Sequence, residues 1–574
     1  MNKTNLRKMR MNKLLLVTQL LILLLPIHSK GQTFDWVRTF DSGNNLISGV
    51  AADVVVDADA FVYTTGSFAG TVDFDPGTGS QIISSSGQTD VFITKHNTSG
   101  NLIWVQTFGG PGRDDGTSIS LGPDGNLYVS GTFRDSIFFG SSGLFTSLGF
   151  MDLFVLKMDT AGILNWVKHA GGPFGEVING LAVDSNNVIY SVGFFEDGID
   201  FDPNSGTSAL TSAGDYDIFI WKLDSAGNYI NALQFGDDKR QVGESIVIGK
   251  NNDVVITGQF YGTTDFDPGS GTNPITSFGQ NDIFILSLDV SNNFNWLQTF
   301  GSNLAEEIGY DITRDPSGNI LVTGCFYGTI DFDPGPGSAI LSTTGSERAF
   351  ILKLDSTGGF IWARDLGGIG STEGHGIATD EFGNVYTTGN YFGNDDFDPG
   401  PGTVIFPATG SGDCFISKLD SNGIFAYAGA LAGPASQWGR SIAIAPDESI
   451  YTAGLTSDTV DFDPGPATYQ FVSAGSFAVG FIHKMVQSPT AIQEYYSNSD
   501  IKLFPNPVTD IVYIQTSSDN SVESIYISNI LGETILGNKK FNSKILDLNN
   551  LTPGYYFLHL KTAKGFLVEG FVKK

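Results

Sequence analysis

The pentapeptide Asp-Phe-Asp-Pro-Gly recurs along this chain at a nearly constant interval, and that periodicity limits the fold more than any other feature. It stands at Asp73–Gly77 and again from Asp265, Asp331, Asp396 and Asp461. A sixth copy, from Asp200, has Asn204 in place of the Gly, and a seventh has decayed to Ser136-Ile137-Phe138-Phe139-Gly140. With Ile137 as the landmark of the decayed copy, the steps are 64, 63, 65, 66, 65 and 65 residues. A fixed period of this length means an array of one supersecondary unit.

One full unit defines the pattern. Ser245–Ile248 is a short apolar run, and a turn at Asn251–Asp253 leads to Val254–Phe260. The Asp265 motif and a polar loop follow, then Asp282–Asp289, a turn at Ser291–Asn293, and Phe294–Gly301. These are four β runs bounded by turn residues. A Gly inside the second run returns at Gly66, Gly131, Gly193, Gly258, Gly324, Gly389 and Gly454, which suggests close backbone approach to a neighbouring layer. The fourth run carries Trp36, Trp104, Trp166, Trp296 and Trp362, with Asn231 and Tyr427 at the other two equivalent places. All three rulers count seven. Four antiparallel strands in seven copies of about 65 residues predict a seven-bladed β-propeller over residues 32–485. The first strand, Phe34–Phe40, has the pattern of a fourth strand and is expected to complete the last blade, closing the ring.

The composition agrees with an all-β chain: 72 Gly and 44 Phe among 574 residues, with 16% charged residues, argue for short strands and tight turns. Met1–Gly31 has a basic start and an apolar core from Leu14 to Ile27, and it reads as a signal peptide cleaved between Gly31 and Gln32. It holds six of the 31 basic residues and no acidic ones. The remainder therefore has 25 basic against 61 acidic residues, a net charge of −36. Such a surface repels nucleic acid and anionic membrane. No later stretch reaches the roughly 18 apolar residues of a transmembrane helix. Cys325 and Cys414 lie at non-equivalent places in their repeats and read as buried thiols.

The repeats resemble the SBBP family of bacterial β-propeller repeats, through units such as Ile377–Asp380, Gly383–Gly389 and Phe350–Asp355 running on to Trp362. The resemblance spans roughly residues 34–485 and implies fold, not activity. Residues 486–500 turn polar and read as a linker. The tail, 501–574, alternates in short strands as a small immunoglobulin-like β-sandwich would. Its Pro505-Asn506-Pro507, Gly532, Gly554 and closing Lys573-Lys574 resemble the C-terminal sorting domain of type IX secretion, found in the Bacteroidetes. That resemblance implies a periplasmic intermediate, delivery to the outer-membrane surface or beyond, and the type IX machinery as a partner.

Chemistry is sparse. His96, His169, His375, His483 and His559 sit at unrelated repeat positions, and none pairs with another at metal-ligand spacing. In the repeated motif the two Asp are two apart on an extended segment, with both carboxylates on one side. The pairs Asp73/Asp75, Asp200/Asp202, Asp265/Asp267, Asp331/Asp333, Asp396/Asp398 and Asp461/Asp463 are therefore candidate Ca²⁺ ligands. The competing reading makes them caps on loop amides, with Phe packed between blades. The links between blades are also acidic (Asp114-Asp115, Glu176, Asp237-Asp238, Glu306-Glu307, Glu373), and the topology puts them on the same face as the motif loops. No acid–base pair is legible, although Trp438 with Arg440 and Lys239-Arg240 break the repeat. The leading expectation is an exported, non-enzymatic propeller that presents a binding face to a protein or glycan. A secreted polysaccharide hydrolase or lyase and a structural matrix protein are the alternatives.

Overall fold

The computed structural model describes residues 32–41, 49–75, 77, 79–303, 306–473, 478–487, 501–516, 522–529, 534–540, 545–549, 551–562 and 565–574. The leader with Gly31, most of the linker and Gly532 lie outside the described residues. Two compact units emerge, Gln32–Gln487 and the tail from Ser488 onward.

Among the described residues of the first unit, seven four-stranded antiparallel sheets follow one another, the first six each built from one stretch of chain. Blade one, for example, runs Val50–Val56, Val62–Phe68, Asp90–His96 and Leu102–Phe108. The inner strands of the next six blades begin at Asp114, Glu176, Gln241, Ile308, Thr372 and Gln437. Each inner strand lies beside those of both neighbouring blades, and that of blade seven lies beside that of blade one, so the sheets form a closed circuit. The fourth strand of the seventh sheet is Gln32–Phe40, which pairs with Val479–Gln487 from the other end of the chain. The ring is thus clasped by hydrogen bonds between its two ends, and no blade edge is left open there.

The three recurrent residues each have a mechanical cause. The motif Phe is fully buried against a Phe of the third strand. Centroid distances are 5.4 Å for Phe74–Phe92, 5.2 Å for Phe266–Phe284 and 5.0 Å for Phe397–Phe415. Such pairs add about 0.5–1.5 kcal/mol each beyond their area burial. In the decayed copy it is Phe139 that packs on Phe154, at 5.1 Å. Phe138, not Ile137, therefore takes the place of the first Asp, one residue on from the landmark used in counting. The second-strand Gly serves a contact inside its own blade rather than with a neighbouring layer. A Cβ at Gly258 would sit 2.1 Å from the Val242 carbonyl oxygen and 3.0 Å from the Phe284 ring. The fourth-strand Trp ties one blade to the next. The Trp104 Nε1–H donates to the Thr160 carbonyl at 3.1 Å, and the Trp36 ring lies over Gly100, whose φ of +75° no side chain readily adopts. Within the loop between second and third strands, the structure adds a short hairpin that the sequence does not betray, such as Thr263–Asp265 paired with Pro274–Thr276.

In the tail unit, Ile501–Phe504, Ile511–Thr516 and Ile545–Asp547 form one sheet, and Val522–Asn529, Thr534–Lys540, Gly554–Thr562 and Gly565–Lys573 form a second. Leu503, Val512 and Ile514 from the first share a core with Ile527, Leu558 and Phe571 from the second. Both cysteines are buried free thiols.

Carboxylates are buried where inner strands begin. Asp114, Glu176 and Glu307 have no solvent exposure. Burial first, then the neighbouring Asp90, Asp152 and Asp282 in turn, pushes them up to about 8, 9 and 7. A folded-state value above the unfolded one (about 4) means the stabilisation is complete below that pH. It is lost as pH rises toward 7 to 9. Glu176→Gln removes this penalty. Its thermal midpoint should match the parent's near pH 5 and exceed it near pH 9, by roughly 1–3 kcal/mol in stability. Equal midpoints at both pH values would contradict the assignment.

Candidate functional site

The repeated Asp residues fold their own loops. Asp265 Oδ1 accepts the amide N–H of Asp267 at 3.1 Å and that of Asn273 at 2.7 Å. Asp73, Asp200, Asp331, Asp396 and Asp461 do the same with their counterparts. The second Asp caps the next turn, as when Asp333 Oδ1 accepts the Gly335 N–H at 2.8 Å. Asp202, Asp398 and Asp463 repeat this, and Asp75 Oδ2 lies against Gly79. Among the described residues no three His, Cys, Asp or Glu side chains gather as metal ligands. A Ca²⁺ ion wants six to eight oxygens. Each loop offers two carboxylates whose Oδ1 atoms accept loop amides, fewer side-chain oxygens than that ion takes. Asp265→Ala, which frees two amides, should lower stability by about 1–2 kcal/mol. Melting curves of the parent in calcium and in chelator should superimpose, and a calcium-dependent rise would restore the metal reading.

The expected acidic face also changes character. Asp114, Glu176 and Glu307 turn inward, and Asp237 accepts from Lys239 N–H and Gln241 Nε2. Of the links, Asp115 lines the channel cavity itself, and Glu373 reaches its wall through His375.

Each of the seven inner strands carries one β-bulge. The register slips at residues 52, 117, 179, 244, 310, 375 and 440. A bulge re-aims a side chain, and here all seven line the channel. They are Ala52, Thr117, Asn179, Glu244, Tyr310, His375 and Arg440. In a chain that repeats itself elsewhere, no two of these are alike. The bulge of blade seven has a local cause in paired glycines. Trp438 O stands 2.0 Å from a Cβ at Gly454, while Gly439 would meet Thr388 Oγ1 at 2.1 Å.

The small members, Ala52 and Thr117, leave room beside the large ones. A cavity of about 490 Å³ opens between them, lined by Val50, Arg113, Asp115, Met151, Val177 and the bulge ring. That volume suits a small ligand. It opens at the end where the inter-blade links enter. Opposite stand blades five to seven. The His375 ring lies 4.6 Å from that of Tyr310 and stacks on Trp438 at 5.9 Å and 13°. Arg440 sits 5.1 Å over Trp438. His375 Nε2 is 3.1 Å from Glu373 Oε2, and Asn390 reaches the same oxygen at 3.5 Å. Burial raises the Glu373 carboxyl, but the bonds from His375 and Asn390 and the Arg440 charge work against it, and the carboxyl is held low. Glu244 is the opposite case: burial raises it despite bonds from Gln259 at 3.0 Å and Asn179 at 3.2 Å. Arg113 pairs with Asp115 at 2.5 Å. Arg440 makes no ion pair among the described residues.

One layer deeper, Asp53 and Asp311 staple the inner strands. Asp53 accepts from Ser441 at 2.6 Å and Ser118 at 3.0 Å, spanning blades seven, one and two. Asp311 accepts from Ser245 and the Ile377 amide, both at 2.8 Å, and burial pushes it up to about 7.

Of the five histidines that follow the leader, His96 and His483 are buried in the blades and pushed down by that burial to about 3 and about 4. His169 pairs with Asp152 and His559 with Ser528. Only His375 reaches the channel. The sequence signal for the site is the variable residue after the inner-strand Gly, as in Gly243-Glu244, Gly309-Tyr310, Gly374-His375 and Gly439-Arg440.

In the tail, the dispersed sorting residues converge. Asn506 donates to Gly570 O at 3.1 Å and accepts from the Val572 N–H at 2.9 Å. Gly554 pairs in register with Lys573, and Lys574 N–H donates to Val508 O at 2.8 Å. Pro505 and Pro507 flank Asn506 in that loop.

Comparison with known proteins agrees with this division. Residues 502–574 match the secretion system C-terminal sorting domain, and residues 361–390 match the beta-propeller repeat SBBP. An uncharacterized WD repeat-containing protein of Acanthamoeba polyphaga mimivirus is 26% identical over 441 residues. The match takes in 65% of this chain and only 31% of that protein. A Bacteroides caccae protein of unknown function aligns at a TM-score of 0.29 and 7% identity, over 60% of this chain and 91% of its own. A polysaccharide lyase described as an ulvan lyase aligns at 0.36 and 11%, over 78% and 97%. Scores this low carry no argument about activity. No helix among the described residues is long and apolar enough to cross a membrane. The chain thus carries an SBBP beta-propeller repeat within an all-β propeller fold and a secretion system C-terminal sorting domain, which marks it for export to the outer-membrane surface or beyond.

Proposed function

We propose that this exported propeller binds an anionic saccharide, bearing carboxylate or sulfate, in the mouth of its central channel. The observation that carries the reading is Arg440. A guanidinium stays charged at any working pH and offers a planar fork matched to carboxylate and sulfate. Arg440 is solvent-exposed, lines the channel cavity and makes no ion pair among the described residues, so an incoming anion can reach it. Trp438 backs both His375, stacked on its ring, and Arg440, 5.1 Å over it, and the small residues of blades one and two leave the space a sugar ring needs. The irregular ring supports recognition of one shape rather than a symmetric role. A pure matrix function would give no reason for seven different side chains at one repeated position.

Calorimetric titration with uronate or sulfated oligosaccharides, and with neutral glucans of equal length, tests the reading. Acidic ligands should bind, the affinity should fall with added salt, and Arg440→Ala should weaken it about tenfold to a hundredfold. Equal affinity for neutral and acidic ligands, or an Arg440→Ala protein that binds as the parent does, would contradict it.

A further inference from the structure

Resting on that reading of the mouth, we propose that the same site cleaves its ligand by β-elimination at a uronic acid residue, with His375 as base and Tyr310 as acid. The substrate class is a uronate-containing polysaccharide.

Three adjacent blades supply the parts such a reaction needs. The hydrogen on the carbon next to a sugar carboxylate is removable only if the charge developing on that carboxylate is held, and Arg440 is the unpaired cation placed for it. A base must then reach that hydrogen. His375 has one ring nitrogen committed to Glu373 at 3.1 Å. That bond fixes the ring, and the second ring nitrogen, Nδ1, makes no bond to a described residue. This is a general base oriented by a carboxylate. An acid must finally protonate the departing glycosidic oxygen. The Tyr310 ring is 4.6 Å from that of His375, so both groups reach one sugar unit from the same wall. Burial, followed by Cys325, Glu373, Glu244 and Glu347, raises Tyr310, which keeps its hydroxyl protonated as an acid requires.

The step balances without a co-reactant. His375 Nδ1 takes the proton from C5, the C5–H electron pair becomes the C4=C5 double bond, and the C4–O4 bond breaks. The leaving oxygen takes the Tyr310 proton. Transfer of the proton from His375 back to Tyr310, through solvent in the mouth, restores both groups. Hydrolysis fits less well. It needs a carboxyl pair across the scissile bond, whereas Glu373 is engaged by His375 and Glu244 by Asn179 and Gln259.

The full chain, incubated with polyglucuronate, polygalacturonate, polymannuronate and a neutral glucan, gives the test. Two signals are followed: ultraviolet absorbance of the C4=C5 bond conjugated to the carboxylate, and new reducing ends. With a polymer that binds, both should rise together, one double bond per new end. Tyr310→Phe and His375→Gln should each cut this rate at least ~100-fold, while calorimetric affinity and the melting temperature stay near the parent's. New reducing ends without the double bond would mean hydrolysis and overturn the proposal. Binding with neither signal would overturn it too, leaving the anionic-ligand reading intact. Failure of every acidic polymer to bind would remove both.

Discussion

Seven inner strands converging on one axis is the constraint on which the rest of this structure depends. Each strand meets it with one bulged residue next to the second-strand glycine. In five of the seven blades a glycine of the inner strand also precedes the bulge, Ala51 and Ile178 standing there in the other two. The inner-strand glycine admits a threonine hydroxyl of the preceding blade, as Gly439 does for Thr388, and the second-strand glycine admits a backbone carbonyl, as Gly454 does for Trp438 O. The bulge then turns one side chain per blade into the channel. Architecture and site therefore have a single origin. The framing glycines are held by packing, while the bulged residue itself is free to vary, and in this chain it does so at every blade.

That division explains what could be read from the sequence. The all-β propeller class was legible because its rulers are packing residues at fixed phase. The motif Phe meets the third-strand Phe, the second-strand Gly meets a carbonyl, and the Trp meets the next blade's turn. The sorting tail was legible through Asn506, Gly554 and Lys573, which the structure brings to one end of a sheet. The site was not. The apolar part of the inner strand, such as Ser245–Ile248, announces itself, but the preceding Gln241–Glu244 does not. A bulge there breaks the period-two alternation by which strands are recognised. Trp438 with Arg440 stood out as irregular, and Glu373 and His375 were visible singly. Their approach to Tyr310 depends on blades about 65 residues apart sharing one axis, which no local pattern records. The Asp pairs carry two readings at once: two carboxylates in a loop invite a cation, and the structure has one oxygen of each accepting loop amides.

Charge follows the same logic. Part of the acidity that composition suggests for the surface is folded into the blade junctions, where Asp114, Glu176 and Glu307 are driven toward their neutral forms. Removing these groups from the surface potential makes the field less repulsive to an anionic ligand at Arg440 than the net charge of −36 expected after leader cleavage implies. The deeper Asp53 and Asp311 act as staples, holding the inner strands of neighbouring blades in the register that aims the bulged residues.

The central claim is that the working surface of this exported protein is the channel mouth and not the acidic loops around it. A crystal structure with a short uronate oligosaccharide bound tests it most directly. The account predicts the carboxylate against Arg440, with a sugar ring beside Trp438 and His375. Ordered sugar on the motif loops with the channel empty would contradict it.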